Sequence, residues 1–288
     1  MNSNNPHSWF ILLFHSYNRN IMRQLLPAMT IIAVYSVALS WFFELFHIEI
    51  SHNMAIHSIL GIVLGLFLVF RTNGAYDRWW EGRKLWGGLV NTCRNFANKI
   101  NAAIPEEKED LKLFFQLYSN FVFAMKEHLR EGVKMEEMEE IDETFMKELK
   151  ASGHRPNYIV KRIFLRLNEL HREGKIDGET LIILDNQVRE LLDLLGGCER
   201  IKNSPIPYSY NMFLKKFIFI FITTLPIFIE DIFHWWTGAV VCLMFYILTS
   251  TELIAEEIED PFGEDENDLP TDDLSHKIKA NIKEVLID

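Results

Sequence analysis

The chain has 288 residues and a formal net charge of −11, from 40 acidic against 29 basic residues, and 49% of it is apolar. The charge is segregated: Gln24–Phe70 and Phe217–Ile258 contain no Lys or Arg, whereas 252–273 is rich in Asp and Glu and holds no base. This excludes an ordinary soluble globule, points to a membrane protein carrying an aqueous part, and argues against nucleic-acid binding, since no basic stripe is present.

In chain order, residues 1–20 are polar and mixed, without the short apolar core of a cleavable signal. Residues 1–24 read as a cytoplasmic N-terminal segment. Leu25–Leu45 is the first apolar stretch, roughly 31 Å of helix at about 1.5 Å per residue. Its Pro27 falls in the first turn, where a missing N–H costs little. Met54–Phe70 is the second span and is close to the minimum length for a crossing. Phe217–Phe233, with Pro226 inside it and Glu230–Asp231 near its end, is the third. Trp235–Leu248 is the fourth, extended by Thr249–Thr251, whose hydroxyls can bond to the preceding turn.

The short links at 46–53 and around Asp231–His234 lack Lys and Arg, while Arg19, Arg23, Arg71, Arg78, Arg83, Lys84, Lys215 and Lys216 flank the other ends. The positive-inside rule therefore puts both hairpin tips outside and both termini in the cytoplasm, with Trp41, Trp235 and Trp236 as an outer aromatic belt. The expected division is 25–70 and 212–251 as membrane hairpins, 71–211 as a helical cytoplasmic domain, and 252–288 as an acidic cytoplasmic C-terminal segment. Within 71–211, helical periodicity follows Pro105 and breaks at Ser152–Pro156. It resumes over Ile159–Glu173, turns at Gly174–Gly178, and runs over Glu179–Leu195 to a stop at Gly196–Gly197. The fold class is all-α. Cys93, Cys198 and Cys242 form no paired motif, which suits a reducing cytoplasmic bulk.

Three features carry chemistry. In the second span Ile62, Leu66 and Phe70 share one helix face, with Gly61 and Gly65 one position before Ile62 and Leu66. Glycines at that spacing permit close helix approach, and the apolar face could form a constriction that gates by dewetting. The same stripe would equally serve as a lipid-facing or core surface. The run from Arg71 to Phe96 places Trp79, Trp80 and Trp86 at a membrane boundary and offers a local charge network through Asp77, Arg78, Glu81 and Arg83. Glu259–Asp273 sets Asp260, Glu264, Asp265 and Asp268 around Pro261 and Gly263, oxygen ligands that suit calcium but also an acidic segment that is merely solvated. The spacing is not that of an EF-hand, and nothing matches a P-loop, a nucleophile elbow, HExxH or a dinucleotide fingerprint. His47, His52 and His57 lack helical ligand spacing, which argues against zinc there. No enzyme is expected.

The chain resembles the bacterial branch of the bestrophins through FRTNGAYDRWWEGRKLWGGLVNTCRN at 70–95, GCERIKNSPIPYSY at 197–210 and EDPFGEDENDLP at 259–270, placed in order against the four spans. The resemblance implies a homopentamer in the inner (plasma) membrane, four transmembrane helices per subunit and one central ion pore with both termini cytoplasmic. It implies an apolar neck at Ile62, Leu66 and Phe70, where Leu66 replaces the family's Ile or Phe. A cytosolic constriction falls to Ile182, Ile183 or Leu184, with no motif to choose among them. In animal members the acidic segment, with N-terminal backbone, clasps calcium. Asp260, Glu264, Asp265 and Asp268 match that pattern, with Asn267 and Pro270 as departures. The bacterial branch implies conduction of small monovalent cations, Na+ or K+. The alternatives are a chloride channel of the same architecture, or a membrane scaffold whose cytoplasmic helices recruit a soluble partner.

Overall fold

The computed structural model describes residues 19–47, 54–130, 132 and 134–288. The expectations for residues 1–18, for the tip 48–53 and for His52 lie outside the described residues. Those described are helical, with no strand among them. The α-helices are α1 (Arg19–Leu45), α2 (Met54–Ala103), α3 (Lys108–Leu129), α4 (Glu143–Ala151), α5 (Arg155–Arg172), α6 (Gly178–Asn203), α7 (Tyr208–Phe233), α8 (Thr237–Glu259) and α9 (Thr271–Leu286). Three stretches are long and apolar enough to cross a membrane: Leu25–Leu45, the start of α2, and Tyr208–Glu259. A short 3₁₀ turn, His234–Trp236, divides the last of these. The second expected span is the beginning of one unbroken 50-residue helix. The polar residues after Phe70 solvate its outer face without supplying any breaker.

The chain separates into two compact units, one of residues up to Ala75 plus Ile206–Glu256, the other of Tyr76–Pro205 plus Glu257–Asp288. In the first, α7 supplies Leu214, Ile218, Phe221, Ile222, Leu225 and Ile229 to a core with Leu64, Leu68 and Val241. A Cβ at Gly238 would lie 2.8 Å from Val37 Cγ2, so this glycine lets α8 close on α1. Gly61 works the same way against the Phe221 ring, at 3.3 Å, whereas Gly65 meets nothing within 4 Å in a single chain. Of the two expected small-residue contacts, one is made within the chain. His57 is stacked between Phe221 and Phe228, at centroid distances of 4.3 and 4.7 Å.

The second unit is an amphipathic bundle in which α3 packs against α5, α6 and α9. Its core includes Trp86, Leu89, Phe96, Phe114, Phe121, Ile163, Leu191 and Ile282. Helix starts follow side-chain capping: Asp142 accepts from Phe145 N and Asp177 from Thr180 N, both at 2.7 Å. At the expected break, His154 caps α5 and Pro156 sits in its first turn, so the helix starts at Arg155, earlier than periodicity indicates. Gly174 turns the chain with φ 72°.

Helix α6 corrects the expected stop at Gly196–Gly197, since it continues to Asn203. Gly197 is a packing residue: a Cβ there would lie 2.8 Å from Leu85 Cδ2, as one at Gly88 would lie 2.9 Å from Leu194 Cδ2. Glycines that look like punctuation in the sequence let α2 and α6 approach one another. The expected charge network after the second span is also rearranged. Arg78 donates to the carbonyls of Ile201 (2.6 Å), Ser204 and Glu259 (2.9 Å), satisfying the ends of α6 and α8. Glu81 pairs with Lys84.

Candidate functional site: an apolar stripe and an acidic turn

Within α2, Leu64 and Leu68 turn into the core of the first unit, while Ile62, Leu66 and Phe70 remain 74%, 54% and 59% exposed. The helix thus has one face committed to its own chain and a row of large apolar side chains, four residues apart, that its own chain does not cover. In water such a row is unfavourable by about 25 cal/mol per Å². It requires lipid, another copy, or a narrow passage that excludes water. The three expected neck residues therefore share one uncovered face.

At the start of α6 the three alternatives separate. Ile182 and Ile183 are 64% and 50% exposed, but Leu184 is fully buried in the bundle core. The Leu184 side chain points into that core, while Ile182 and Ile183 point away from it. Its position four residues before the helix's next core residue explains this; Leu184, Val188 and Leu191 form the inward stripe.

The acidic run from Glu259 is a folded turn held to the second unit by apolar anchors. Phe262 and Leu269 are buried, with Phe262 against Gly82, where a Cβ would come within 3.2 Å of its ring. Leu269 N donates to the Pro261 carbonyl at 2.9 Å, Asp268 N to the Asp265 carbonyl at 3.1 Å, and Asp265 N to Asp268 Oδ2 at 2.7 Å. A Cβ at Gly263 would fall 2.6 Å from Asp268 Oδ2, so a larger residue there would displace this carboxylate. Asn267, a departure from the family pattern, donates to Glu257 at 2.6 Å and accepts from the Trp79 indole at 3.0 Å. Burial, reinforced by the Asp265, Asp260 and Glu257 charges, raises the Asp268 carboxyl to about 6 despite the amide bond.

Two of its four candidate ligands, Glu264 and Asp268, already meet protein groups. Glu264 faces Lys134 Nζ at 3.3 Å and Arg130 Nη1 at 3.7 Å, so protein cations already occupy its field. Among the described residues, no three of its carboxylates bring ligand oxygens within 4.8 Å of one another. Asp268 Oδ1 is buried without a hydrogen-bond partner. The N-terminal backbone that the resemblance brings to such a clasp lies outside the described residues.

Beside the turn is a buried ion network that sequence reading did not find. The Lys126 ammonium, fully buried, meets Glu137, Asp272 Oδ1 at 2.7 Å and Glu127 at 3.5 Å. Arg130 donates to Asp272 Oδ2, Thr271 Oγ1 and the Phe262 carbonyl. Burial alone would raise the Asp272 carboxyl, but the bonds from Lys126 and Arg130 outweigh it and hold the group at about 2. The partners lie up to 146 residues apart in sequence, so no local spacing signals them.

The profile of the bacterial and fungal bestrophin proteins matches residues 1–284. The chain is 34% identical over 283 residues to a voltage-dependent anion channel-forming protein of Nostoc sp., covering 96% of this chain and 91% of that one. It is 36% identical over 230 residues to a Synechocystis sp. protein of the same description, covering 78% and 75%. A crystal structure of a bacterial bestrophin homologue from Klebsiella pneumoniae superposes with a TM-score of 0.85 at 27% identity, covering 92% of this chain and 98% of that one. With a match along almost its whole length and a shared helical fold, the chain belongs to the bacterial and fungal bestrophin family.

Proposed function

We propose that the chain assembles as a homopentamer around a single axial pore that passes small monovalent ions, with Ile62, Leu66 and Phe70 forming an apolar neck. The observation that carries this reading is the uncovered stripe on α2: three large apolar residues, each more than half exposed, on a helix whose opposite face is buried. Packing the stripe around an axis would give a passage narrow and dry enough to gate by dewetting. In this arrangement α7 and α8, separated by the 3₁₀ turn, cross the membrane individually. Each subunit then has four crossings, and both termini are on the cytoplasmic side of the inner membrane. Ile182 or Ile183 would form the cytosolic constriction.

The sign of the permeant ion has two supports. The Nostoc and Synechocystis relatives are described as anion channel-forming proteins, which favours chloride-like anions. The net charge of −11 favours Na+ or K+ through the field at the pore mouths. The descriptions of relatives sharing about a third of their residues weigh more than net charge alone, so the anion reading comes first. Planar-bilayer recording of Ile62→Ala, Leu66→Ala and Phe70→Ala tests the neck. Open probability or conductance should rise in each, and unchanged values in all three would reject the assignment. Reversal potentials across a salt gradient decide between anion and cation.

A further inference from the structure

Two histidines and a glutamate from three helices of the second unit converge on one point. His128 stands one residue before the end of α3, His154 caps the start of α5, and Glu199 lies in α6. His128 Nε2 is 2.7 Å and His154 Nε2 is 2.9 Å from the same oxygen, Glu199 Oε1. One ligand atom from each of the three residues lies within 4.8 Å of the others, and the imidazole centroids are 4.4 Å apart. All three side chains are half-buried: held by the bundle, yet reachable from solvent.

From this geometry we propose a binding site for one borderline divalent transition cation of the zinc class, held by His128, His154 and Glu199. Two imidazole nitrogens and a carboxylate suit this class, whereas calcium and magnesium prefer oxygen alone. Bonds of about 2.0–2.1 Å in a tetrahedral site set neighbouring ligands about 3.3 Å apart. The nitrogen–oxygen separations here need to open by only about half an ångström to admit the ion. The remaining position faces solvent and takes water.

The protons balance. As the side chains stand, each Nε2–H can donate to Glu199, and His154 Nδ1 accepts from the Asn157 amide at 3.3 Å. On binding, each Nε2 gives its lone pair to the ion and the imidazole proton resides on Nδ1. His154 then exchanges its long contact with Asn157 for a metal bond. Because the ligands come from α3, α5 and α6, the ion joins three helices that are distant in sequence. Any cation that binds the folded bundle alone stabilises it by mass action. The site does not depend on the channel reading.

The test uses the full chain purified in detergent, with Co2+ as the spectroscopic probe and Zn2+ as competitor. The expected result is a saturable visible band corresponding to one Co2+ per chain, displaced by Zn2+, with a thermal midpoint that rises on Zn2+ addition. His154→Ala and Glu199→Gln should each weaken binding by more than about tenfold. Glu199→Gln keeps a side-chain carbonyl for the two imidazole donors, so an unchanged midpoint without metal separates lost ligation from lost folding. A wild-type chain with no saturable band and no Zn2+-dependent midpoint overturns the proposal. So does a band that both variants retain at wild-type affinity.

Discussion

The two units solve opposite problems with the same side chains. In the bundle of the second unit, large apolar residues such as Trp86, Phe96, Phe114 and Phe121 are fully buried. In the first unit Ile31, Val34, Ile59, Ile62, Phe219 and Leu243 stand more than half exposed. Hydropathy alone does not distinguish these sets; the surroundings do. A bundle in water must hide its apolar surface within itself, and pays in packing precision. A membrane unit can leave that surface to lipid or to further copies. Apolar burial is therefore the rule in the core of one unit and apolar exposure a resource in the other, with the exposed Ile182 and Ile183 of the second unit as the departure from that rule.

The widest contrast expected from this comparison is between Trp86→Ala and Ile62→Ala. Emptying the buried Trp86 site should cost about 3–5 kcal/mol in chemical denaturation of the detergent-solubilised chain, while Ile62→Ala should change stability by less than about 0.5 kcal/mol. Equal losses would mean that Ile62 is a core residue. Next comes Lys126→Met, which leaves Glu137 and Asp272 facing a thioether; a loss of about 1–3 kcal/mol is expected by the same measurement. A neutral result would make the network dispensable. Gly197→Ala should cost about 1–3 kcal/mol, toward the lower end because the obstructing Leu85 methyls can shift. Absence of any cost would show that the Leu85 side chain gives way freely and that Gly197 is not needed for the close approach.

The smallest effect is in the pH dependence. Asp268 has a folded value of about 6, above its unfolded value of about 3.9, so its charged form opposes folding. That penalty is absent below about 4, grows between about 4 and 6, and is complete above. Asp272, at about 2, does the reverse: its contribution is present above about 4 and is lost as pH falls toward about 2. Thermal midpoints should therefore rise as pH is lowered from neutral toward about 4 and fall below that. Asp268→Asn should flatten the first limb while leaving the second. An unaltered first limb in that variant would remove Asp268 as its cause.

The residues that were legible in the sequence are those whose role depends on local order. The apolar spans, the helical middle and the shared face of Ile62, Leu66 and Phe70 follow from composition and a 3.6-residue period. The family motifs located the acidic turn as well. What could not be read depends on contacts between distant residues. Gly197 resembles a C-terminal stop until Leu85 is placed beside it. Leu184 is indistinguishable from Ile182 and Ile183 until the bundle assigns its inward face. The acidic run looks like a solvated tail or a calcium clasp, yet Phe262 and Leu269 anchor it, and Arg130 and Lys134 meet Glu264. His128, His154 and Glu199 have no common spacing, because three helices bring them together.

Helix α9 follows the acidic turn and buries Ile278, Ile282 and Leu286 in the bundle, with Thr271 and Asp272 tied to Lys126 and Arg130. Helix α9 is thus a keystone of the aqueous unit. A premature stop codon after the final membrane helix would spare every membrane-crossing residue and still leave α3 stripped along one side. Such an allele should be cleared by quality control as a misfolded protein rather than persist as a shortened channel.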